Sequence, residues 1–243
     1  MATGPNHEYA TSRSQGYARA QTAEIDAGLR AYMQKVYAYM AGGLAVTGVI
    51  AYFVGNSPEM VQMIYGTPLK WVVMFAPLGF AFMFGMRAHA MAASTAQLLF
   101  WAFAAIMGVS ISYIFFVYTD ASIAKTFFIA AATFLGMSLW GYTTKKDLSG
   151  MGTFLIMGVF GLMIASIVNL FLQSSALDFA ISAIGVLAFT GLAAYDTQKV
   201  KEFYWEADGH EVATKKSILG AFVLYLDFIN LFLFMLRFLG NRE

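Results

Sequence analysis

Apolar residues in this chain do not alternate with polar ones as they would along a half-buried strand or an amphipathic helix. They run almost unbroken through seven stretches, 32–54, 69–86, 95–118, 121–142, 153–173, 178–200 and 218–239. Each has the length of a helix crossing a hydrocarbon core, for which about 20 mainly apolar residues suffice. The connections are short except for 201–217, KEFYWEADGHEVATKKS. Irregular backbone facing lipid would leave peptide groups unsatisfied, so the pattern predicts an all-α integral membrane protein with seven transmembrane helices. They form one domain, 31–243. The preceding segment, 1–30, is polar and rich in small residues, and it reads as a flexible cytoplasmic tail turning helical around AEIDAGLRAYMQKVY. No apolar core follows a basic start there, so no cleavable signal peptide is expected.

Composition sharpens the class. Of 243 residues, 59% are hydrophobic and 12% charged, whereas a soluble domain carries about a quarter charged residues. A net charge of +1 supplies no basic field for nucleic acid. There is no Cys, and the three His lie far apart, so no disulfide, thiolate or His-rich metal motif arises and no cofactor is implied. With the N-terminus inside, the inner loops and ends receive Arg13, Arg19, Arg30, Lys35, Arg87, Lys145, Lys146, Lys199, Lys201, Lys215 and Lys216. The outer side receives Lys70, Lys125, Arg237 and Arg242. That asymmetry predicts a cytoplasmic N-terminus and, after seven spans, a C-terminus outside.

Two stripes of small residues, Ala104–Gly108–Ser112 and Gly161–Ala165–Asn169, predict close helix approach. Pro77, in FAPLGF, removes a backbone donor and bends the second span, as a static kink or as a hinge.

Three ionisable residues stand in or beside the apolar runs: Asp227 in LYLDFINLFLFMLRFLG, Asp196 in GLAAYDTQKV, and Arg87 in FMFGMRAHA. An aspartate at the centre of a spanning helix costs roughly 2.5–3.5 kcal/mol on insertion scales, so it needs a partner or a purpose. Asp196 closes the sixth span and Asp227 sits in the seventh, so an antiparallel hairpin joins them. Two carboxylates brought close cannot both ionise cheaply, and such a pair titrates as a unit. Ionised, it is also a hard-oxygen site of the kind calcium prefers. Equal depth requires the sixth helix to continue through VKEFYW, because Asp196 lies so near Lys199 and Asp227 so far from Lys216. Asp196 as a boundary residue, and Asp227 bonded to a neighbouring Ser or Asn, are the plain alternatives. Arg87 reads as a positive-inside flank or as an ion-pair partner of the aspartates. Asn230, one turn beyond Asp227, is either helix–helix glue or a pore-lining polar group.

AYDTQKVKEFY followed by LYLDFINLFLFMLRFLG resembles the Bax inhibitor family, the transmembrane Bax-inhibitor-motif proteins, in its bacterial form. Similarity of hydropathy pattern runs over about residues 30–240. The resemblance implies seven helices with the last one central and surrounded by the other six. It implies a pH-sensitive calcium leak, in which Asp196 and Asp227 form a di-aspartyl sensor whose shared proton latches a closed pore, and Arg87, matched by place, engages that sensor. Calcium would be the permeant or weakly bound ion, with protons and the lipid bilayer as the other partners. A second role implied by relatives is a non-conducting regulator of a membrane-anchored protease or of membrane quality control. The bacterial inner membrane is the implied location. A retinal protein is not expected, because no lysine for a Schiff base lies between Lys216 and the C-terminus, and neither is an enzyme such as an intramembrane serine protease, because no His lies within a span to serve as base.

Overall fold

The structure is a computed structural model that describes residues 6–87 and 90–241, with side chains from Asp26 onward. The described residues form helices and connections, with no strand among them. In chain order these are α1 (Asn6–Gly55), α2 (Pro58–Tyr65), α3 (Leu69–Arg87), α4 (Ala93–Ile111), α5 (Ile114–Val117), α6 (Asp120–Thr143), α7 (Ser149–Leu172), α8 (Ser175–Glu202) and α9 (His210–Leu239). Among the described residues, seven segments are long and apolar enough to cross a membrane: Asp26–Gly55, α3, α4 with α5 (Ala93–Val117), and α6 to α9. They coincide with the seven predicted runs.

The differences lie at the edges of those runs. The expected tail ends at residue 30, but α1 is already helical from Asn6; the first five residues lie outside the described part. Between the first two spans the sequence SPEM starts the short helix α2, with Ser57 accepting from the Met60 amide as N-cap and Pro58 at the first position. The third span breaks at Ser112–Tyr113. The Tyr65 hydroxyl of α2 lies 3.0 Å from the Val109 carbonyl and 3.0 Å from Ser112 Oγ. Backbone freed at the break is thereby satisfied from within the protein, the condition for irregular structure at membrane depth.

Burial is uneven. In the apolar window of α9, 67% of residues are buried, against 11% in α3 and in α7. α9 packs against α1, α4, α6 and α8, and Phe84 of α3 reaches it through Phe222, ring to ring at 4.7 Å. Its apolar side chains, among them Leu224, Tyr225, Phe228 and Leu231, join the main core cluster. The Tyr225 hydroxyl meets Thr47 Oγ1 at 2.6 Å, and Thr47 donates to the Ala104 carbonyl at 2.8 Å, tying α9, α1 and α4 together. Gly108 approaches the Thr47 backbone, so the first small-residue stripe does pack α4 on α1. The second does not act as a unit: Gly161 is exposed with nothing near it, while Asn169 is buried and accepts from the Ser174 amide at the α7–α8 corner. Gly141 is required by a true close approach, because a Cβ there would strike the Ala194 backbone of α8.

Candidate functional site

The antiparallel register of α8 on α9 is fixed by packing. Gly220 receives Val200, and Gly185 receives the Phe234 ring, which also stacks on Phe189 at 5.6 Å. The same register sets Asp196 opposite Asp227. The obstacle raised by the sequence, that the two lie at different distances from their flanking lysines, is removed in two ways. α8 continues to Glu202, stopping short of the full VKEFYW expected, and α9 starts at His210, so its first turns overhang the end of α8 while residues 203–209 return the chain. The 201–217 segment expected as a long loop is mostly helix.

Asp227 is 5% exposed, wedged among core side chains of α9. Asp196 is partly buried. Their carboxyl groups come within side-chain hydrogen-bonding range of each other. Asp227 Oδ2 is enclosed and has no hydrogen-bond partner. Neither aspartate has an ion-pair partner among the described residues. The nearby cations are engaged elsewhere: Lys199 with Glu202, Lys201 with the Tyr142 carbonyl, Lys35 with Thr214 and Lys216 with Asp208. A carboxylate contact contains no hydrogen unless a proton is supplied, so the geometry is that of two acceptors with one donor wanting.

The residue after Asp196 begins a directed hydroxyl chain across three helices. Thr197 donates to the Ala193 carbonyl (2.7 Å), which leaves its oxygen to accept from Ser138 of α6 (2.7 Å), and Ser138 in turn accepts from Tyr37 of α1 (2.6 Å). Gln198 anchors the other side of this turn, accepting from the Leu148 amide and donating to the Lys146 carbonyl. Asp196 thus sits on a turn held from both flanks. Outside the spans, Ser149 donates to Asp147 through its side chain and through its amide, and these bonds hold the Asp147 carboxyl below the usual range. Asp147 is a charged group near the site that does not change state in the physiological range.

The remaining predicted residues are placed less centrally. Arg87 is exposed at the end of α3 and pairs with neither aspartate, so the ion-pair reading is not realised in this structure; flanking the membrane accounts for its position. Asn230 donates to the Leu226 carbonyl of its own helix at 2.8 Å and is only partly buried. Pro77 is buried inside α3, which stays one continuous helix. Sequence reasoning missed a polar cluster at the opposite end of α8 and α9, where Arg237 pairs with Asp178 beside Asn169, Gln173 and Ser182. Both charges were legible as ends of neighbouring spans at the same membrane face, and only that adjacency signals them.

Fold and site together define a seven-span helical membrane protein built around a carboxyl pair. Residues 29–243 match the family described as Inhibitor of apoptosis-promoting Bax1. The chain is 52% identical over 219 residues to protein RP147 of Rickettsia prowazekii, covering 90% of this chain and 93% of that one. It is 43% identical over 220 residues to the inner membrane protein YbhL of Escherichia coli, covering 89% and 94% respectively. The chain therefore belongs to the Bax inhibitor family, and it is a multi-pass protein of the bacterial inner membrane.

Proposed function

We propose that this protein is a pH-sensitive calcium leak of the inner membrane, a conduit and not an enzyme, in which one proton shared by Asp196 and Asp227 holds the pathway closed. The observation that carries the reading is the contact between these two carboxyl groups, one of them enclosed, with neither in an ion pair among the described residues. In acid the shared proton makes the contact an O–H···O bond joining α8 to α9. As pH rises the proton leaves. Two unit charges about 4 Å apart then repel by on the order of 4 kcal/mol at an effective dielectric constant of ~20, enough to shift a helix-packing equilibrium.

In this arrangement α9 is the axial helix wrapped by the other six, the N-terminus is cytoplasmic and the C-terminus is outside. The α6–α8 attachment through Ser138 and Thr197 keeps Asp196 in place, so opening falls to the less buried helices, with Pro77 as a bend in α3. Calcium takes about six to eight oxygens, so an ionised pair needs waters or carbonyls to complete a site, and binding is weak, as suits a leak. The test is calcium entry into liposomes containing purified protein alone. Flux that rises with pH in the wild type and loses that dependence in both D196N and D227N supports the proposal. Absence of flux at every pH, with a membrane protease recovered alongside the protein from native membranes, favours the regulator reading instead.

A further inference from the structure

A cavity of about 370 Å³ lies between α1 and α6, toward the Asp120 end of α6 and away from its Ser138 end. Its floor is α9, through Phe228 and Phe232, and its walls are Thr47, Gly48 and Tyr52 of α1 and Phe127 and Phe128 of α6. Two features set it apart from an ordinary lipid groove. Six rings stand in an otherwise mostly aliphatic lining: Phe127 packs edge-on against Phe128, Phe228 and Phe232, and Tyr52 against Phe115. The rim carries a carboxylate, Asp120, exposed at the first position of α6 and forming no ion pair among the described residues.

We infer that this cavity is a binding site for a lipophilic organic monocation, whose apolar body fills the aromatic cleft and whose charge is matched by Asp120. Ring faces attract cations, and the attraction grows when both groups are removed from water. A volume of this size falls in the range of small-molecule sites, and a mostly apolar lining with one well-placed charge is their usual composition. A neutral acyl chain would gain nothing from the carboxylate, and an anion would be repelled by it. Gly48 lies on the wall with nothing near the place its Cβ would occupy, so the cavity can be filled from α1 without a clash. The inference is independent of the calcium reading.

The test uses the full chain in nanodiscs of phosphatidylglycerol, with tetraphenylphosphonium as probe and tetraphenylborate as its anionic counterpart of similar shape. Binding is measured against protein-free nanodiscs. The site predicts a saturable phosphonium component near one per chain and none for the borate. It predicts about tenfold weaker binding in D120N, retention in D120E, and loss in G48L. Folding of each variant is checked by its thermal transition. Equal uptake with and without protein overturns the inference, as does D120N binding unchanged. Loss of the saturable component when phosphatidylethanolamine replaces phosphatidylglycerol also overturns it, because the seat then belongs to a structural lipid.

Discussion

α8 and α9 bring charge together at two levels, and the two levels solve the problem differently. Near the end of the bundle where α8 finishes, Asp196 meets Asp227, like facing like. Near the other end, Asp178 meets Arg237, a carboxylate with a guanidinium. The second contact is complete as it stands and is partly exposed, the Arg237 and Asp178 side chains being 31% and 26% exposed. The first is incomplete without a proton. Compensated charge makes a permanent clasp between two helices; uncompensated charge makes one whose strength depends on the solution. On the proposed reading, the same helix pair has a fixed end and a switchable end.

The largest effect is expected at the switchable end. D227N removes one carboxylate and supplies a permanent amide donor, so calcium flux in proteoliposomes loses its rise with pH and stays at the acid level. A variant that still opens on alkalinisation would remove the distinction between the two ends. Next, D178N at the fixed end costs about 1 kcal/mol of stability, seen as a lower thermal midpoint in detergent. Partial exposure keeps this well below the roughly 3–5 kcal/mol of a fully enclosed broken pair. Its flux keeps the wild-type pH dependence.

Of similar size is Y37F, which removes the last donor of the hydroxyl chain behind Thr197. About 0.5–1.5 kcal/mol is expected from the lost bond, together with a broader pH response, because Asp196 is held less firmly. D147N should change nothing in the flux profile. Its carboxyl is kept charged by Ser149, so it separates a general surface-charge effect from the buried pair.

Much of this was legible in the residues, for reasons that also explain what was not. Lipid demands continuous apolar runs, so the seven spans stand out from hydropathy alone. A carboxylate inside such a run is expensive, so Asp227 stands out as well, and YDTQ points to its partner. Their register was hidden, because it depends on α9 overhanging α8, which seven residues of loop permit but no pattern announces. The break at Ser112 was hidden too, since it rests on Tyr65 reaching a turn more than forty residues away, whereas α2 carries its own local start signal in Ser57 and Pro58. Arg87 was ambiguous because a cation at a helix end serves the membrane interface and an ion pair equally well; in this structure it is exposed and pairs with neither aspartate. Gly161 shows the converse, a small residue at the right spacing whose face has no neighbour.

The claim beneath all of this is that Asp196 and Asp227 hold a single proton between them when the pathway is closed. Infrared spectroscopy of the purified protein in lipid measures it directly, through the carboxylic-acid carbonyl band and its shift in deuterium oxide. The account predicts one protonated carboxyl per molecule, present in the acid range, vanishing over the same pH interval in which flux appears, and altered by either D196N or D227N. Two ionised carboxylates throughout that interval, with flux still changing, would contradict it.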